Sequence, residues 1–163
     1  MNPFQRQLSL VGTLADLPRI ANFIAEACAA LGLAPAARFD LQLAVEEACC
    51  NVIEHAYEGA GGALKVRIET CDEDVVITIQ DRGKPFDPTA IPEPDIDAPL
   101  DERPIGGLGL YLMQRLMDEV AFTFSPEGGN TLVMTKHEVL ASADPPQATE
   151  EGRDGSPAAG NDL

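Results

Sequence analysis

Residues 43–57 read Leu-Ala-Val-Glu-Glu-Ala-Cys-Cys-Asn-Val-Ile-Glu-His-Ala-Tyr, and no other stretch constrains the fold as tightly. Leu41, Ala44, Val45, Ala48, Val52 and Ala56 recur at helical spacing, which predicts a helix with one apolar stripe. Pro35 is placed to start it and Gly59 to stop it. Glu47, Asn51, Glu54 and Glu58 fall together beside the stripe, so they border the core on its polar side. At about 100° per residue, Glu47 and Asn51 stand one turn apart and about 40° round the axis. At one phosphate such a pair can do two jobs. The carboxylate can accept a proton or orient a nucleophile, while the amide oxygen is a hard ligand suited to Mg²⁺. The same spacing also suits an ordinary solvated helix face.

Two later segments bear on that choice. In Ile79-Gln-Asp-Arg-Gly-Lys-Pro-Phe-Asp-Pro88, an alternating strand (Val75, Ile77 and Ile79 on one face) runs into an acid, a glycine and a Pro-Phe-Asp turn. Asp81 would sit at the mouth of the sheet, where a carboxylate can accept a hydrogen bond from the exocyclic amine of adenine. Gly83 would let the backbone pass close to the base. A plain turn after an edge strand uses the same residue types. In Pro104-Ile-Gly-Gly-Leu-Gly-Leu110, a glycine cluster opens into the periodic helix Tyr111 to Val120. Glycines at a helix start aim several N–H groups at one point, and the helix dipole favours an anion there. The cluster lacks the Gly-Lys-Ser/Thr of a Walker loop and the third glycine of a dinucleotide fingerprint.

Taken in order, Glu47-x-x-x-Asn51, Asp81-x-Gly83-x-Pro85-Phe86-Asp87 and Gly106-Gly-Leu-Gly-Leu110 resemble the N box and the two glycine boxes of the GHKL ATP-binding superfamily. Asn51-x-x-x-His55-Ala-Tyr57 and Leu116-Met-Asp-Glu-Val120 look most like the anti-sigma-factor serine/threonine protein kinases of bacterial partner-switching systems. The resemblance covers residues 8 to 138. It implies a Bergerat ATP-binding fold, with ATP and Mg²⁺ as cofactors. It also implies phosphorylation of a STAS-type anti-sigma-factor antagonist, and sequestration of a sigma factor or analogous regulator.

Carried over residue by residue, the resemblance makes Asn51 the Mg²⁺ ligand and Glu47 the general base for the substrate hydroxyl. Asp81 holds the adenine amine with Gly83 at the base, and backbone groups of Gly107, Leu108, Gly109 and Leu110 cradle the phosphates. Thr131 supports the adenine through Asp81 or water. For His55 a structural hydrogen bond is the expectation. The rival from another class is a non-catalytic, ATP-gated module that sequesters a partner. Glu47 favours the enzyme, because nucleotide and metal binding alone would not need that carboxylate. A histidine kinase domain is disfavoured, since no dimerisation helices bearing a phosphoacceptor histidine precede these motifs.

The rest of the sequence is consistent with one such domain. Leu8 and Leu10 share a face of a first strand over 5–12, Ala15 to Leu31 is an amphipathic helix, and Gly32 ends it. Leu64, Val66 and Ile68 alternate up to Asp72-Glu-Asp74, a hairpin signal repeated by residues 119–125 and 131–137 around Pro126-Glu-Gly-Gly-Asn130. The resulting expectation is an α/β two-layer sandwich, a mixed or antiparallel sheet covered on one face by helices. The domain spans 1–140. The Pro- and acid-rich connection at about 87–104 matches the family's ATP lid, and its Arg103 could reach a γ-phosphate or a partner. The polar segment 141–163 reads as a disordered acidic tail.

Net charge is −16 over 163 residues. Beyond Val139 there are five acids and one base, so the domain itself is strongly acidic. Such a field repels nucleic acid and suits a partner with a basic surface. The absence of a long apolar run or hydrophobic leader points to the cytoplasm and away from membranes. Cys28 and Cys49 lie in apolar helical stretches and read as small hydrophobes; no cysteine spacing suits zinc. By resemblance the chain forms homodimers, through its first strand and helix.

Overall fold

The computed structural model describes residues 3–90, 97 and 108–140. Five strands form one sheet among these residues: β1 (Gln5–Gly12), β2 (Gly62–Cys71), β3 (Asp74–Asp81), β4 (Glu119–Ser125) and β5 (Gly129–Lys136). Their order is β1-β2-β3-β5-β4, and each neighbour pair is antiparallel. Helices α1 (Leu17–Ala30), α2 (Pro35–Asn51) and α3 (Leu108–Leu116) supply the second layer. The expected two-layer sandwich is what forms, with the sheet wholly antiparallel among the described residues.

Strand alternation explains the layering. Leu64, Val66 and Ile68 on β2 face the same side as Ile77 and Ile79 on β3 and Leu132 and Met134 on β5, and all are buried. Ile20, Ile24, Ala27 and Cys28 of α1 meet them together with Leu41, Ala44, Val45, Ala48 and Cys49 of α2. Cys28 and Cys49 are free and buried in that core, as expected of small hydrophobes. Burial raises the pKa of the Cys49 thiol to about 12, so it stays a neutral thiol. No described helix is long and apolar enough to cross a membrane.

α2 departs from the expected stripe at its end. Val52–Ala56 forms one π turn, with the N–H of Tyr57 bonded to the carbonyl of Val52 at 3.1 Å. The extra residue in that turn rotates the surface, so Ile53 enters the core while Val52 and Ala56, expected there, are only half-buried. Glu58 (φ 52°) and Gly59 (φ 80°) then end the helix in left-handed backbone. Tyr57 locks this end to the sheet: its hydroxyl donates to the Ala63 carbonyl and accepts the Arg82 N–H, both at 2.7 Å. Its ring lies where a Cβ on Gly62 would be, so position 62 has room only for glycine.

One end of β3, β5 and β4 is held together by a charged cluster. His137 contacts Asp74 through Nδ1 at 2.9 Å and Glu119 through Nε2 at 3.2 Å, while its N–H donates to Asp118. The bond to Asp74 raises the imidazole pKa above its ordinary value, and Glu119 adds to the effect. A backbone N–H from Glu138 and the His137 ring lower that of Asp74. A raised histidine pKa contributes stability that is fully present below the unfolded value of about 6.5. That contribution is lost as pH rises through the folded value. The depressed Asp74 pKa acts oppositely, its contribution fading as acid protonates it. His137→Ala is therefore expected to lower Tm most at about pH 6 and to have little effect by about pH 9. Melting curves across that range check it, and a pH-independent deficit would count against the charged cluster.

Candidate functional site

The site forms where the C-terminal end of α2, the exit of β3, the start of β5 and the first turn of α3 meet. A cavity there is lined by Ala48, Asn51 and Val52 from α2 and its π turn, and by Asp81, Phe86 and Asn130 from the sheet side. Met113, Leu132, Thr131 and His55 also line it. The wide turn explains part of this arrangement, since it moves Val52 and Ala56 out of the core and onto the cavity.

Gly109, in the first turn of α3, brings the separated motifs together. A Cβ there would lie 2.9 Å from Glu47 Oε2 and 3.1 Å from Asn51 Nδ2, so a glycine lets the helix approach without displacing either side chain. The carboxylate and carboxamide that stood one turn apart on α2 thus face the backbone of the glycine segment. Glu47 is half-buried, and desolvation, then Glu46 and Glu54, raises its pKa. A carboxylate so placed is a stronger proton acceptor than one in water. Leu108 is exposed at the helix start and Leu110 is buried against the core. Gly107, Arg103 and most of the expected lid (91–96 and 98–104) lie outside the described residues, as does the segment 141–163.

Asp81 is buried at 5% exposure. Its Oδ1 accepts the Gly83 N–H and an Asn130 Nδ2–H, both at 2.9 Å. Neither bond uses Oδ2. Gly83 was expected to make room for a base, but the close approach it permits is to the helix end. A Cβ on Gly83 would sit 2.5 Å from the Ala56 carbonyl oxygen, and the next N–H, from Lys84, donates to that same oxygen at 3.0 Å. Lys84 also pairs with Glu58 across the junction.

Thr131 lines the cavity, yet the side chain bonded to Asp81 is that of its neighbour Asn130. The reason is strand alternation: Asp81 pairs with Asn130 and Gln80 with Thr131, so Asn130 shares the face of Asp81 while Thr131 is offset to the other. Asn130 is a cavity residue that the sequence motifs do not name. A polar residue held in phase with Leu132 and Met134 was the available signal. Phe86, from the Pro-Phe-Asp turn, and Phe122, which no motif named, stand with ring centroids 4.9 Å apart and supply an apolar wall. The His55 side chain makes no hydrogen bond among the described residues and borders the cavity, where a structural bond was the expectation.

A hard amide oxygen beside a half-buried carboxylate, a close-approaching glycine helix start and a buried carboxylate in an apolar cavity match the needs of a magnesium nucleotide. Comparison with known proteins points to an ATPase-type domain. A family model described as Histidine kinase-like ATPase domain matches residues 10–136. The chain is similar to the serine-protein kinase RsbW of Halalkalibacterium halodurans, 37% identical over 101 residues covering 60% of each chain. It is also 32% identical over 102 residues to the serine-protein kinase RsbW of Bacillus cereus (strain AH187), a match spanning 60% of this chain and 62% of that one. The matched segment thus spans about three fifths of these relatives' length. Among solved structures, the RsbU and RsbW domains of Rv1364c from Mycobacterium tuberculosis superpose with a TM-score of 0.60 at 19% identity, over 82% of this chain and 31% of that one. That superposition establishes a shared fold.

Proposed function

The chain belongs to the histidine kinase-like ATPase domain family, and from that premise we propose that it is an ATP-dependent protein serine/threonine kinase and anti-sigma factor. Its substrate is a STAS-type anti-sigma-factor antagonist in a partner-switching system, and it sequesters a sigma factor or analogous regulator. It acts in the cytoplasm, as a homodimer through β1 and α1. The observation that carries this reading is the close approach of Gly109 to both Glu47 and Asn51, because it sets a candidate base and a glycine helix start beside Asn51, which itself lines the cavity. The names of the similar proteins, serine-protein kinases, support the reaction class.

In this reading Asn51 holds Mg²⁺ through its amide oxygen, and the backbone N–H groups of Leu108, Gly109 and Leu110, with Gly107 before them, receive the phosphates. When bound, Mg²⁺ would neutralise charge on the phosphate oxygens. Asp81 accepts the adenine amine, and Phe86 and Phe122 give the base an apolar surface. Gly83 and Thr131 shape the cavity around it. Glu47 takes the proton of the substrate hydroxyl, a role suited to a carboxylate whose pKa is raised by burial and by neighbouring acids. Transfer then rests on positioning and electrostatics, as phosphoryl transfer generally does.

Radiolabelled ATP with a STAS-type antagonist tests the proposal: label is expected on one serine or threonine of the antagonist. ATP binding without transfer would favour an ATP-gated sequestering module. No ATP binding at millimolar Mg²⁺ would remove the nucleotide reading altogether.

A further inference from the structure

We propose that Asn130 is a positioning residue for base selectivity, holding Asp81 and residues 82–86 in the one shape that reads adenine. The proposal rests on the nucleotide reading of the cavity. Asn130 is 7% exposed, and its three side-chain hydrogen bonds all go to one segment of chain. Nδ2 donates to Asp81 Oδ1 at 2.9 Å and to the Lys84 carbonyl at 2.8 Å, while Oδ1 accepts the Phe86 N–H at 3.0 Å. One carboxamide thus fixes that segment at three points, residues 81, 84 and 86.

Each anchor has a consequence for the cavity. At Asp81, the Asn130 and Gly83 donors both occupy Oδ1, which fixes the carboxylate's rotation and keeps Oδ2 free for the base amine. At Phe86, the backbone bond sets the ring against Phe122 on the apolar wall. At Lys84, the bond holds the carbonyl of a residue whose N–H is tied to the end of the π turn. Both hydrogens of the Asn130 amide are spent in this way, so it reads the base only through Asp81. The turn is built to allow it. Gly129 takes a φ of 77°, and a Cβ there would lie 2.1 Å from the Asp81 carbonyl oxygen, so a glycine must precede the asparagine.

Calorimetry of ATP and GTP against the full chain and two variants tests the inference. Asn130→Ala is expected to weaken ATP binding about tenfold and to narrow the preference for ATP over GTP. Asn130→Asp keeps the acceptor for Phe86 but sets a second carboxylate against Asp81, so the pair should share a proton. Its ATP affinity should then fall about tenfold between mildly acidic and mildly alkaline buffer, where the wild type stays level. Parallel loss of ATP and GTP affinity in the alanine variant, or a level pH profile in the aspartate variant, would overturn the positioning role. The wild-type titration separately tests whether the cavity binds nucleotide, and failure there would overturn both readings.

Discussion

Glu47→Gln is expected to lower phosphoryl transfer by a factor of about 10² to 10⁴, the usual contribution of a positioned general base, while ATP still binds. The substitution keeps the side chain's shape beside Gly109 and Asn51 and removes only the ability to take a proton. Because desolvation and the acids Glu46 and Glu54 raise the pKa of Glu47, wild-type transfer should climb with pH through a value above that of an ordinary glutamate. The variant should lack that rise. Single-turnover transfer measured against pH, with ATP affinity measured separately, decides the matter. Undiminished transfer by Glu47→Gln would exclude Glu47 as the base.

Asp81→Asn should weaken ATP binding by about 30- to 150-fold, the loss of a charge-assisted hydrogen bond worth about 2–3 kcal/mol. An asparagine can turn its carbonyl oxygen toward Gly83 and Asn130, so both native bonds to Oδ1 can persist and the fold should hold. Its NH₂ then faces the adenine amine, donor against donor. The preference for ATP over GTP should shrink or reverse, because a donor at this position suits the guanine carbonyl. Calorimetry with both nucleotides reads the effect directly, and an ATP affinity within threefold of wild type would refute the assignment.

The two variants test different parts of one site. In the proposed reading Glu47 governs the rate and Asp81 the occupancy, so a loss of transfer with occupancy intact would separate the two roles. Asn130 stands between these roles and the fold, because it acts on the nucleotide only through another side chain.

What the sequence determined by itself was whatever depends on local period and residue type. Alternation in β2 and β3 and helical spacing in α1 and α2 specify faces, and a face that must be buried specifies the layering. Glu47 and Asn51 were legible for the same reason, since an i, i+4 pair on a helix stays a pair wherever the helix packs. Asp81 was legible as the acid ending an apolar strand. Only the tertiary structure decided the rest. The π turn at Val52–Ala56 depends on how the helix end packs on the β3 exit, where Gly83 touches Ala56, and nothing in the 3.6-residue period announces an extra residue. The hydrogen bond from Asn130 rather than Thr131 depends on the register of β3 against β5, a contact between residues 49 apart in sequence. A shift of one residue would have exchanged their faces. The meeting of Gly109 with Glu47 and Asn51 is likewise a packing event between two helices, which neither segment specifies alone.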